Sequence, residues 1–176
     1  MEVLNEGSGV RFELLRHSVE NFARLGRLHT AHGVVETPAF MPVGTQGSVK
    51  TVGSEDLEDL GFEMVLSNTY HLELRPGSEV IERMGGLHHF MSWERPILTD
   101  SGGYQVMSLT KMRKIDDDGV RFKSHLDGTE MFLTPEKSIE IQGRLGVDIS
   151  LALDECPPYP CTRDQAVHAM NRTHLW

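Results

Sequence analysis

Three apolar runs, "EMVLS", "PILT" and "VDISLAL", are each followed by residues patterned as helix, and this alternation limits what the chain can fold into. Strands are expected at residues 64–68, 97–100 and 147–154, with helices between them. "RPGSEVIERMGG" reads as a helix with Pro76 near its first turn and glycines at its exit; Thr134 can cap, Pro135 start and Gly146 end another. Such an order specifies parallel β/α units, whose reactive groups gather where strands end.

The opening third reads differently. "RFELL", "RLGRLHT" and "VVETPAFMPV" are strand-like, and "AHG" joins the last two where Gly33 can take a positive φ. A single domain follows, with residues 1–50 as an antiparallel β extension and 51–176 as the first β/α units. Ser54 can cap a short helix that Gly61 closes, and "VRFKSHLDGTEMFLTP" forms a hairpin around Asp127 and Gly128. Thr162 and Gln165 make a capping box for a last helix, with Ala166, Val167 and Met170 as its apolar face. A closed barrel needs eight such units and about 250 residues. The expectation is therefore about half a barrel, cut short near Trp176, with strand edges that favour aggregation.

Seventeen Lys and Arg against 26 Asp and Glu give a net charge of -9, so polyanion binding through overall charge is excluded and a local patch is required. "KMRK" at 111–114 is one such patch, offset by the "DDD" after it. The start lacks a targeting pattern and no apolar run is long enough for a bilayer, which makes the cytoplasm the expected location. Cys156 and Cys161 are too few for a disulfide framework and complete no zinc set. His88 and His89 point to opposite sides of an extended chain and do not serve one metal; His71 reads as structural.

The three strand ends carry Asn68, Asp100 and Asp154, an amide and two carboxylates aimed at one face. Each Asp could also simply cap the turn it begins. "DSGG" at 100–103 invites a serine-nucleophile reading, and histidine, aspartate and serine even occur in protease order. The β/α alternation argues against it, as does the missing Gly-x-Ser-x-Gly elbow, leaving Ser101 a bystander. Gly102 and Gly103 suit a turn that approaches a flat ligand, and Tyr104 either stacks on that ligand or enters the core.

"TPAFMPVGTQGSVK", "SNTYHLELRPG", "ILTDSGGYQVMSL", "SHLDGTEMFLTPE" and "DISLALDECPPYP", in that order, resemble the signatures of bacterial tRNA-guanine transglycosylases, also called queuine tRNA-ribosyltransferases. The resemblance runs from about Arg11 to Arg172. It implies a TIM (β/α)8 barrel of which only the N-terminal part is present, with an N-terminal β extension and a zinc-binding subdomain near the full-length C-terminus. It implies a homodimeric enzyme that exchanges the wobble guanine of G-U-N anticodon tRNAs for preQ1 in queuosine biosynthesis, through a covalent ribosyl-aspartate.

By the same resemblance Asp100 is the proton acceptor, and Ser101, Gly102, Gly103 and Tyr104 form the base-binding turn. Asp154 and Cys156 line the guanine pocket, and Lys50, Phe90 and Met91 lie at the dimer contact. A carboxylate can accept paired hydrogen bonds from the N1–H and amino edge of guanine, which gives Asp154 a physical task. The family's nucleophilic aspartate, zinc ligands and much of its basic tRNA surface come later than Trp176, so the chain alone is expected to be inactive. A noncatalytic half-barrel that pairs with a partner or binds RNA is the rival expectation. "CPPYP" disfavours the archaeal-type relative.

Overall fold

The computed structural model describes residues 3–4, 9–109 and 113–176; Lys111 and Met112 of the basic "KMRK" run lie outside them. Four antiparallel strands come first: β1 (Val3–Leu4), β2 (Arg11–His17), β3 (Arg24–Thr30) and β4 (Gly33–Thr37), in the order β1-β2-β3-β4. Gly33, at φ +138°, makes the tight turn between β3 and β4 as expected. "VVETPAFMPV" is two elements, however, because after Thr37 the chain leaves this sheet and β5 (Val43–Gly44) pairs in parallel with a later strand. The parallel sheet thus begins inside the stretch read as extension.

From there the chain alternates. α1 (Ser54–Asp59) leads to β6 (Val65–Ser67), then α2 (Thr69–Leu74), α3 (Ser78–Arg83), α4 (Leu87–Met91) and β7 (Ile97–Thr99). α5 (Gly103–Leu109) precedes the antiparallel strands β8 (Arg113–Asp116), β9 (Gly119–Lys123) and β10 (Glu130–Leu133), followed by α6 (Pro135–Leu145), β11 (Ile149–Ser150) and α7 (Arg163–Leu175). The parallel sheet has the order β11-β7-β6-β5, so each strand lies beside its predecessor in the chain and the four-stranded sheet stays open.

Local chemistry explains most boundaries and corrects three. Gly53, not Ser54, is the N-cap of α1: its amide donates to Asp56 Oδ2 at 2.9 Å, while Ser54 Oγ donates to the Met91 carbonyl. Pro76 precedes α3 instead of entering it, and Gly77 at φ +104° is the N-cap. The expected apolar face of α7 is mostly solvent-facing: Val167 and Met170 are exposed, and Ala169 is the helix's buried residue. Thr134, Pro135 and Gly146 bound α6 as expected, with Thr134 Oγ1 accepting from Lys137 N at 3.1 Å.

The core lies between the parallel sheet and its helices and holds Val65, Leu72, Ile81, Leu87, Trp93, Ile97, Ile141 and Leu145, all essentially inaccessible. Each such side chain contributes about 1.5–3 kcal/mol by leaving water. Buried polar residues are built into it, Gln142 among them. Gln142 of α6 accepts from Thr99 Oγ1 and Leu151 N, both at 2.9 Å, and donates to the Leu151 carbonyl at 2.9 Å and to Ser138. Its amide thereby acts as ladder partner to the strand edge just beyond β11.

At the opposite, N-terminal end of the parallel strands, Asp148 has a fully buried side chain and ties three segments together. It accepts from Ile97 N at 2.9 Å and His88 Nε2 at 3.1 Å through Oδ2, and from His32 Nδ1 at 2.9 Å and His32 N at 3.2 Å through Oδ1. Burial alone would raise its pKa, but the hydrogen bonds from Ile97 and His32 outweigh burial and hold the carboxyl below its ordinary value. The stacked His32 and His88 rings, 3.7 Å apart, thus lock the β3–β4 hairpin tip onto the base of the sheet. These are hydrogen-bond distances, and the bonds account for the grouping of these three residues.

Replacing Gln142 with Leu leaves Thr99 Oγ1 buried without its partner and removes the side-chain bonds to the Leu151 carbonyl and to the Leu151 amide, which keeps only the Thr99 carbonyl at 3.3 Å. The expected loss is about 2–4 kcal/mol, read as a lower urea midpoint with unchanged slope; an unaltered midpoint contradicts the ladder role.

Candidate active site

Asp100 follows the last residue of β7 and its amide continues the ladder by donating to the Ser67 carbonyl at 3.3 Å. Its carboxylate then meets four donors. Oδ1 accepts from Thr69 N at 3.1 Å and Gly102 N at 3.2 Å, while Oδ2 accepts from Gln105 Nε2 at 2.7 Å and from Asn68 Nδ2. Thr69 N is one of the unpaired amides at the start of α2, so the capping role and the strand-end role fall on one carboxylate. Gln105 is committed at only one end: its Oε1 is buried without a partner among the described residues.

Ser101 is buried, and its Oγ donates to Asp154 Oδ1 at 2.9 Å and accepts from Gly103 N at 3.2 Å. Its hydroxyl therefore sits between a carboxylate and a backbone amide, with no imidazole bonded to it among the described residues. Gly103 packs where a Cβ would lie 2.5 Å from the Asp154 carbonyl oxygen; Gly102, at φ +85°, would bring a Cβ to 3.4 Å from Tyr70 N. The glycines let the turn closely approach the Asp154 loop and the first turn of α2. Tyr104 is 63% exposed, so its ring stands outside the core.

Asp154 Oδ2 accepts from Cys156 Sγ at 3.2 Å. Burial, then this hydrogen bond, then the negative charge of Asp154 push the Cys156 thiol up to about 11. Asn68 with Asp100, and Ser101 with Gly103, Asp154 and Cys156, thus form two hydrogen-bonded groups joined by the Asp100–Ser101 peptide bond, across the ends of β6 and β7 and the loop after β11.

Four residues had no individual signal in the sequence: Thr69, Gln105, and the pair Tyr70 and His125, whose Oη and Nδ1 are 2.7 Å apart. Burial, and then the charge of His125, hold His71 below its ordinary pKa beside them. Phe90 and Met91 are half-buried against the loop at Gly44 and Gly47, where added Cβ atoms would meet them at 3.3 Å or less, and Lys50 is exposed nearby in sequence. A 690 Å³ cavity on the β8–β10 sheet has neither Asp100 nor Asp154 in its lining.

A family profile described as queuine tRNA-ribosyltransferase matches residues 19–176. The chain belongs to that family. It is 57% identical over 168 residues to a queuine tRNA-ribosyltransferase of Desulforudis audaxviator and 55% identical over 167 residues to one of Lysinibacillus sphaericus. A third, from Halalkalibacterium halodurans, is 54% identical over 169 residues. These alignments cover 95–96% of this chain but 44–45% of the relatives, so the chain spans less than half their length. None of the described helices is long and apolar enough to cross a membrane.

The raised thiol pKa sets the reactivity of Cys156. In a Cys161→Ser background at pH 8, Asp154→Asn removes the charge that disfavours the thiolate, and alkylation by iodoacetamide should accelerate roughly tenfold, about one pKa unit. Equal rates with and without Asp154 contradict the coupling.

Proposed function

We propose that this chain supplies the base-recognition part of a tRNA-guanine transglycosylase, its four parallel strands being the first strands of a TIM barrel and residues 1–176 one domain. The hydrogen bond from Ser101 Oγ to Asp154 Oδ1 carries the reading, because it gathers the carboxylates from two strand ends at one place. The two Asp154 oxygens have about four acceptor positions, of which Ser101 and Cys156 use two. The remaining pair fits the N1–H and amino edge of guanine, with the exposed Tyr104 ring as a stacking surface.

Asp100 has donors on all four of its acceptor positions, so accepting a proton requires one of them to leave. Asn68 and Gln105 hold it through side-chain amides, which rotate without breaking the backbone, and Gln105 has an unpaired oxygen that rotation can satisfy. Released, Asp100 serves as the acid or base in exchange of the wobble guanine of a G-U-N tRNA for preQ1. A carboxylate that traps the oxocarbenium-like ribosyl centre comes from outside these residues. The homodimer contact involves Lys50, Phe90 and Met91. Zinc, expected in the full-length family, finds no complete cysteine set here: the sequence has two cysteines, and burial together with Asp154 raises the pKa of the Cys156 thiol.

Equilibrium dialysis with labelled guanine tests the reading. Asp154→Asn replaces one acceptor with a donor and should weaken guanine about 10- to 100-fold. It should also erase the preference for guanine over hypoxanthine, which lacks the amino group. Undiminished binding and preference refute the proposal.

A further inference from the structure

The outer face of the β8–β10 sheet carries a layered cationic surface. Lys114, Arg121 and Phe132 lie side by side across the three strands in register, and the Arg121 guanidinium covers the Phe132 ring at 3.6 Å from its centroid. Lys123, two residues from Arg121, extends the same face, while Val120 and Phe122 face inward and are buried. Arg113, Lys114, Arg121 and Lys123 line the 690 Å³ cavity there, with Glu130 as its acidic residue. Lys114 and Arg121 make no salt bridge among the described residues, while Lys123 Nζ lies 3.9 Å from the exposed Glu130 carboxylate.

We propose that this face binds single-stranded RNA, one base stacking on the Arg121 guanidinium above Phe132 while Lys114 and Lys123 take the flanking phosphates. A chain of net charge -9 repels polyanions except where cations gather, and here they gather around a flat, π-backed platform. Guanidinium planes and aromatic rings are stacking surfaces for unpaired bases, and the cations track the backbone. An acidic peptide satisfies the charges but leaves the planar layer unused. Phe132 also borders a small cavity on the inner side of the sheet, shared with Thr69 and Tyr70, and Thr69 N is a donor to Asp100.

This inference rests on the proposed function, and two measurements keep them apart. The first is fluorescence anisotropy of this chain with a labelled single-stranded RNA of about seven nucleotides. Arg121→Glu and Lys114→Glu, both at exposed positions, should each weaken binding at least about tenfold and flatten the log–log salt dependence by roughly 0.7 per phosphate lost. Arg121→Lys keeps the charge but loses the plane, and should weaken binding about fivefold or more. The second is guanine dialysis, which these variants should leave unchanged. No RNA binding by the parent chain, unaltered affinity in the Glu variants, parental affinity in Arg121→Lys, or equal competition by poly-glutamate each overturns the proposal. Loss of guanine binding by Asp154→Asn with intact RNA binding separates the two sites.

Discussion

The candidate site depends on the close approach of two loops, the turn after β7 and the loop after β11. Gly103 allows it, since any side chain there would collide with the Asp154 carbonyl. Once the backbones touch, Ser101 Oγ reaches both Asp154 and Gly103 N, so a residue with a nucleophile's appearance works as a strut. Asp100, one residue earlier, is fixed by the same turn through Gly102 N. One short peptide thus sets the separation of the two carboxylates.

Support for that turn comes from α6 beneath it. Ser138 Oγ donates to the Ser101 carbonyl at 2.7 Å, and Gln142, one helical turn later, binds Thr99 and Leu151, which flank the two site loops. Both residues are fully buried, so the polar contacts act in a low-dielectric setting where leaving any one unmade is costly. At the other end of the sheet Asp148 fixes Ile97, the first residue of β7, together with the hairpin tip. β7 is therefore held at its start by one buried carboxylate and beyond its end presents another.

What the sequence reveals is what local rules encode. The caps of α6 and α7, the turn at Gly33, and Asn68 and Asp100 directly after β6 and β7 follow from neighbouring residues alone; Asp154, expected to end a strand over 147–154, instead lies in the loop four residues past β11, which is only Ile149–Ser150. The division near Thr37 was not readable, because a short apolar strand such as Val43–Gly44 has the same pattern in either sheet and only long-range pairing assigns it. α2, α4 and α5 are each too short to show a full apolar stripe. The Gln105 and Thr69 contacts with Asp100 depend on three-dimensional placement, as does the meeting of His32, His88 and Asp148 from three distant segments. The His88–His89 reading considered neighbours in sequence, whereas His88's companions are 56 and 60 residues away (88 − 32 and 148 − 88).

The central claim, that these gathered carboxylates grip a purine, is tested most directly by a crystal structure of the chain soaked with guanine. The account predicts the base against the Tyr104 ring, its N1–H and amino group on the Asp154 carboxylate, with Ser101 still bonded to Asp154. Guanine bound elsewhere, or seated there with Asp154 turned away from its edge, contradicts it.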